Sequence, residues 1–287
     1  MNQIARKTHS FVTLSRIICY TVLVLLSVLC LFSFYFLLVN ASRPHASIIT
    51  GFSFLPGDYF FKNLQNLFAD AENIPILRGL LNSLIVSSST ALLTTYFSAL
   101  TAYGIHAYNF KFKRAAFITI MIIMMIPTQV SALGFVSLIR DMGMMDSFYP
   151  LILPSIAAPI VFYYMKSYME SVLPLEIVEA ARVDGSNEFR TFNRIVLPII
   201  KPAIAVQAIF SFVTSWNNFF TPSLIINSAQ NKTVPILIFQ LRSANFMKFD
   251  LGQVYIMIFV SIIPLLIIYI ILSKYIIKGL TLGSVKG

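Results

Sequence analysis

Pro174-Leu-Glu-Ile-Val-Glu-Ala-Ala-Arg-Val-Asp-Gly-Ser-Asn-Glu-Phe-Arg-Thr-Phe-Asn-Arg-Ile-Val-Leu-Pro198, followed by Ile-Ile-Lys-Pro202, is a polar interruption between two long apolar runs. It reads as two short helices joined by a turn. Pro174 suits the first helical position, with Glu176 close behind at the positive helix end. Gly185 suits the residue just past a helix, where a left-handed conformation is needed. Ser186 suits the cap of the second helix, which carries Glu188 in its first turn. That helix would place Phe189, Phe192, Ile195 and Val196 on one face. Pro198 would then end it or turn the chain toward the next apolar run. In the first helix the small Ala180 and Ala181 lie between Glu179 and Arg182, of opposite charge. Such a helix fits a groove on another protein, or it lies on the lipid headgroups; the residues alone leave both readings open.

The runs on either side set the class. Of 287 residues 57% are hydrophobic and 11% charged, against about 25% charged in soluble domains. So little charge cannot wet a globule, and so much apolar content excludes disorder. With 11 Gly and 2 Cys, collagen-like and disulfide-scaffold folds are excluded too. A transmembrane helix needs about 20 mostly apolar residues. Six uncharged stretches reach or approach that length: residues 17–39, 79–105, 115–138 (with Pro127 near its middle), 148–165, 202–228 and 251–273. The expected architecture is an all-α polytopic membrane protein with six transmembrane helices, a single domain over residues 1–287. The first run is longer than the apolar core of about 7–15 residues in a cleaved signal peptide, so it reads as an uncleaved anchor.

The formal charge is +10, but the bases are dispersed in short segments between apolar runs. That pattern excludes a nucleic-acid partner and fits membrane loops. With the N-terminus inside, 14 of the 21 Lys and Arg fall in the inner segments and 7 in the outer ones. The bias places both termini in the cytoplasm of a multi-pass cell-membrane protein. The outer loops 40–78 and 231–250 would either meet an external partner or pack on the outer rim. Cys19 and Cys30 share one run. Their eleven helical steps at about 1.5 Å put them roughly 16 Å apart, beyond the ~7 Å that a bridge allows.

The spans contain no Asp, Glu, Lys, Arg or His. Ion-coupled carriers place such groups at mid-membrane, and intramembrane proteases and metal sites require them. His9, His45 and His106 all lie outside the spans. No catalytic residue and no metal site is expected, nor is a bound cofactor. No Gly is followed by Lys, so the phosphate-cradling G-x-x-x-x-G-K-[ST] loop is missing and any ATP-driven step would belong to another subunit. The richest polar cluster within a span is Ser211, Thr214, Ser215, Trp216, Asn217, Asn218 and Thr221. An aromatic face beside amides suits a sugar path through Trp216, Asn217, Asn218 and Thr221. The competing reading is that the amides bond a neighbouring helix.

Glu179-Ala180-Ala181-Arg182-Val183-Asp184-Gly185, followed by Phe192, Ile195, Leu197-Pro198 and Pro202, resembles the EAA loop of ABC importer permeases. The Asp-Gly pair is the form typical of the carbohydrate branch; Ser186 stands where the family usually has Ala. Trp216-Asn217 and the tail Lys278-Gly-Leu-Thr-Leu-Gly-Ser-Val-Lys-Gly287 look like the sugar-permease subunits related to the maltose transporter's MalG protein. The resemblance covers nearly the whole chain and implies the type I ABC importer permease fold. It implies a cytoplasmic coupling loop at about 170–201, with Glu179, Ala180, Ala181, Asp184 and Gly185 meeting an ABC ATPase dimer that binds ATP and Mg. The acid at Glu179 would pair with a base on the ATPase, and Gly185 would make the turn. It implies alternating access, a sister permease subunit in a heterodimer, an extracytoplasmic solute-binding protein and a sugar substrate. The cytoplasmic tail, about 274–287, would reach between the ATPase subunits. A permease for a non-sugar solute and a non-transporting membrane scaffold are the alternatives.

Overall fold

The structure is a computed structural model that describes the backbone of residues 2–69, 74–244 and 249–283, and side chains from residue 16 to residue 273 within those segments. The last four residues of the expected tail, 284–287, lie outside the described residues. The described residues form helices and connecting turns without a strand. Two compact units divide the chain, Met1–Ala69 with Leu241–Val260, and Asp70–Gln240 with Ser261–Gly287.

In the first unit, α1 (Asn2–Ala41) runs into α2 (His45–Thr50) and α3 (Phe60–Ala69). Residues 16–35 of α1 are exposed throughout, which suits lipid on most sides. At its C-terminal end the chain knots tightly. Ser42 Oγ accepts from Gly57 N at 2.9 Å, and the Asn63 amide donates to the carbonyls of Ala41 and Arg43, each at 2.9 Å. Gly252 packs against Asn63 so closely that a Cβ would lie 2.7 Å from its amide nitrogen. The segment 40–78, expected to lie outside, is thus partly helical, and Phe52 packs on Phe32 and Phe36 of α1 and Phe54 on Phe32.

The second unit is built on α4 (Ile76–Ala107). It continues through α5 (Lys113–Met124), α6 (Ala132–Asp141), α7 (Tyr149–Ile152), a 3₁₀ turn (Leu153–Ile156) and α8 (Pro159–Val172). The loop follows as α9 (Leu175–Val183), α10 (Glu188–Thr191), a π-turn (Phe192–Val196) and α11 (Leu197–Ile199). Then come α12 (Lys201–Trp216), α13 (Phe220–Ile225) and α14 (Val234–Arg242). The last helix, α15 (Leu251–Gly283), has its first residues, to Val260, in the first unit and stays continuous through Pro264.

Three of the six expected spans are single helices long and apolar enough to cross a membrane: Arg16–Ala41, Ile76–Ala107 and Leu251–Ser273. The other three expected spans are each divided between shorter helices. The third expected span breaks between Met124 and Ala132 around Pro127, since proline lacks the N–H that would bond one turn back. The fourth breaks between Ile156 and Pro159. There α4 meets the chain: Thr94 Oγ1 donates to Ser155 O, which Pro159 leaves without its helical donor, at 2.9 Å, and Ser98 Oγ donates to Ala158 O at 3.5 Å. Irregular backbone at such depth requires partners of this kind. The fifth stops at Trp216 and resumes at Phe220. Pro222 has no N–H for the carbonyl of Asn218, and the Asn218 side chain takes the Thr221 N–H instead, at 3.3 Å.

At its other end α4 is tied to the segment before α14. The Asn82 amide donates to Gln230 O at 2.8 Å and Lys232 O at 2.9 Å. Val234 N donates to Ser83 Oγ at 2.8 Å. Asp146 holds the neighbouring turn, its carboxylate accepting from Asn227 N at 2.9 Å and Ser228 N at 3.0 Å. Desolvation pushes the Asp146 pKa up, but these backbone bonds outweigh it and hold the carboxyl below its ordinary value.

Candidate functional site

The loop from Pro174 to Ile199 has the two-helix form its sequence predicts, with three adjustments. Pro174 is the residue before α9 rather than its first. The cap of α10 is Asn187 rather than Ser186: Asn187 Oδ1 accepts from Arg190 N at 2.8 Å, and its extended backbone (ψ 157°) aims that oxygen at the helix end. Phe189 is 69% exposed, so the expected apolar face is carried by Phe192 and Val196 instead. A π-turn follows at Phe192–Val196.

Gly185 sits at φ +76°, the left-handed region that costs a side-chain residue about 1–2 kcal/mol. The turn it makes is closed by Ser186 N donating to Ala181 O and Asp184 N to Ala180 O, both at 3.0 Å. The outcome is a split helix. Val178 and Ala181 of α9 are buried, whereas Glu179, Ala180, Val183 and Asp184 face outward. Val183 is 88% exposed, an apolar side chain set between two acids.

The loop is fastened to the end of α4. Arg182 Nε donates to Glu188 Oε1 at 2.7 Å, and Tyr103 OH donates to Glu188 Oε2 at 2.7 Å. The Arg182 guanidinium also lies 5.0 Å above the Tyr108 ring. Desolvation raises the Glu188 pKa, but the bonds from Arg182, Tyr108 and Tyr103 outweigh it and pull the carboxyl down to about 2. One turn on, Phe192 is fully buried between the rings of Tyr96 and Tyr103, with centroids at 5.7 and 5.6 Å; such ring pairs contribute about 1 kcal/mol each beyond burial. Tyr96 OH reaches Asn193 Oδ1 at 3.3 Å. His106 Nε2 lies 3.0 Å from Leu173 O, at the entry to the loop.

These contacts lie on a resemblance of the whole chain. Residues 75–282 match the model of the family described as "Binding-protein-dependent transport system inner membrane component". The chain belongs to that family. It is a permease of the ABC transporter class and, like permease subunits generally, not itself an enzyme. It is 33% identical, over 92% of its length and 93% of theirs, to the arabinooligosaccharides transport system permease protein AraQ of Bacillus subtilis. It is 29% identical to the galactooligosaccharides permease GanQ of the same organism, over 93% of this chain and 94% of that one. The sn-glycerol-3-phosphate permease UgpE of Brucella abortus is also 29% identical, over 93% of this chain and 96% of that one. The fold matches a chain of a bacterial ABC transporter involved in the import of the acidic polysaccharide alginate, with a TM-score of 0.77 at 20% identity, over 90% of this chain and 95% of that one.

The permease's second group of expected residues lies at the break between α12 and α13, apart from the loop in sequence and in bonding. Trp216 is 2% exposed, with its ring stacked on Phe212 at 5.6 Å, so it is a packing residue in this conformation. Asn217 is exposed, and its amide donates to Val213 O of its own helix at 3.0 Å. Asn218 bonds Thr221, as described above. The amides therefore bond within their own segment, not the neighbouring helix that the packing reading expected.

Sequence reading missed Glu188 as a hub, because its partners lie six residues back across a turn and 85 residues back in another helix. Only the opposite charges of Arg182 and Glu188 flanking Gly185 hinted at it.

Proposed function

We propose that this permease is the membrane subunit of an ATP-driven importer that moves a sugar or oligosaccharide into the cytoplasm by alternating access. Its α9 docks on a separate ABC ATPase dimer, which binds ATP and Mg. Glu179 meets a base there, Ala180 and Ala181 let the partner's backbone come close, and Asp184 with Gly185 ends the helix. The observation that carries this reading is the exposed face of α9, short, small-sided and acidic, presented by a glycine turn and fastened to a span. A helix merely lying on lipid headgroups has no use for two acids beside an exposed valine.

Both termini and the loop lie in the cytoplasm, as the bias of Lys and Arg supports. A sister permease completes a heterodimer, and an extracytoplasmic solute-binding protein delivers the sugar. Asn217, Asn218 and Thr221 at the broken helix line the path, with Trp216 behind them. Breaks at mid-membrane are where carriers place their substrate groups. The names of the arabinooligosaccharide and galactooligosaccharide relatives support a sugar. A second reading, a permease for a phosphorylated polyol, is favoured by the name of the sn-glycerol-3-phosphate relative.

The test is gentle solubilisation of the tagged chain with identification of what co-purifies, followed by uptake in vesicles. A second permease, a P-loop ATPase and ATP-dependent uptake of an oligosaccharide are the expected result. Recovery of the intact chain without an ATPase sinks the proposal and favours a scaffold; uptake of sn-glycerol-3-phosphate but not sugars selects the second reading.

A further inference from the structure

Between the docking face of α9 and the span α4 stands a hinge. Gly185 is the residue with the widest backbone freedom in the loop, and its Cβ position meets nothing within 4 Å. Bending at this turn would absorb a push on α9 unless its two sides are tied. One side chain spans it. Glu188 Oε1 takes Arg182 on the near side of the hinge, while Oε2 takes Tyr103 of α4. A single carboxylate thus joins α9, α10 and the span.

We propose that Glu188 is a positioning residue that locks the Gly185 hinge, so that displacement of α9 reaches α4 instead of being lost in the turn. This rests on the importer reading given above. The chemistry requires a carboxylate, because both partners donate: Arg182 through Nε–H and Tyr103 through O–H. Glutamine offers one acceptor oxygen, and its –NH₂ only donates, so it holds one partner at a time. Beside Glu188, α9 is held by its buried Val178 and by the Arg182 guanidinium over Tyr108; the contacts of Phe192 with Tyr96 and Tyr103 and of Asn193 with Tyr96 lie beyond the hinge. They keep α10 on α4 whether or not α9 is held. In the described residues this is one of two side-chain ion pairs; the other, Lys166 with Glu170, lies within one turn of α8.

The experiment uses the full transporter in vesicles, measuring arabinooligosaccharide moved per ATP hydrolysed. Glu188→Gln should retain the ATPase partner and its hydrolysis, while the transport ratio falls roughly tenfold, the size expected for one lost charged hydrogen bond. Tyr103→Phe keeps the ring against Phe192 and should give a smaller fall of the same kind. The exchange Arg182→Glu with Glu188→Arg restores the ion pair across the hinge but removes the acceptor for the Tyr103 hydroxyl, so it should recover the ratio only in part. An unchanged ratio in Glu188→Gln overturns the inference while the wild-type complex still couples. A fall in hydrolysis and uptake together, in step with lost assembly, overturns it also, because Glu188 then only holds the fold. If the wild type itself recruits no ATPase, the importer reading fails instead.

Discussion

The loop at Leu175–Ile199 and the break at Asn217–Phe219 both interrupt helical structure with polar residues, yet they bond in opposite ways. In the loop Asn187 caps its own helix, but three polar side chains reach other elements: Arg182 to Glu188 across a turn, Glu188 to Tyr103 and Asn193 to Tyr96 on α4. At the break they turn back on their own segment: Asn217 to Val213 and Asn218 to Thr221. A region bonded outward moves with its neighbours. A region bonded inward holds a local shape and leaves its exposed side available, as the exposed Asn217 does.

The largest expected effect comes from the packed wall of the break. Trp216→Ala should lower stability by about 4 kcal/mol, since it empties a buried aromatic site; a thermal shift of the purified complex checks it. If stability hardly moves, Trp216 is not the support that separates the break from the loop. Next is the docking face. Glu179→Lys should weaken ATPase recruitment by about 3 kcal/mol, by analogy with unpaired interface charges, leaving membrane insertion intact. Normal ATP-driven uptake in this variant would remove the loop's outward role. Gly185→Val follows, at about 2 kcal/mol of backbone strain, and uptake should be lost while the chain still inserts. Gly185→Asn should be milder, because asparagine tolerates the left-handed conformation.

The amides come lower. Asn218→Ala should cost the break about 1 kcal/mol, the size of a helix cap, and Asn217→Ala less, because its bond is exposed. If either abolishes uptake at unchanged stability, the solute-path reading is strengthened. The smallest effect is electrostatic. The Glu188 carboxyl is held below its ordinary 4.5 at about 2, so its contribution is complete above pH 4.5 and is lost as pH falls toward 2. The side chain is 41% exposed, so solvent screens the effect. Hydrogen exchange over residues 175–191, corrected for intrinsic rates, should rise across that window. Residues 217–225 carry no titratable side chain and should stay level.

Much of this contrast is local and therefore legible. Gly185 as the turn residue follows from the chain's need for a left-handed conformation after a short helix, and φ +76° fulfils it. The split of α9 into an acidic outward face and a buried Val178–Ala181 face follows from helical spacing. Asn187 in place of Ser186 as the cap is a shift of one residue between two good capping types, decided by which backbone is extended.

By itself, then, the sequence determined the membrane class, the helical content, the two-helix loop and its acidic face, because each follows from composition or from contacts within a few residues. Only the tertiary structure decided which apolar runs stay whole. Pro264 is carried within α15, whereas the runs holding Pro127 and Pro222 break. A proline's missing hydrogen bond is tolerable or not according to what surrounds it. The tertiary structure also decided that Trp216 is packed, and that one glutamate fastens the loop to a span. Burial and distant bonds depend on which segments the fold brings together, and no local pattern encodes them.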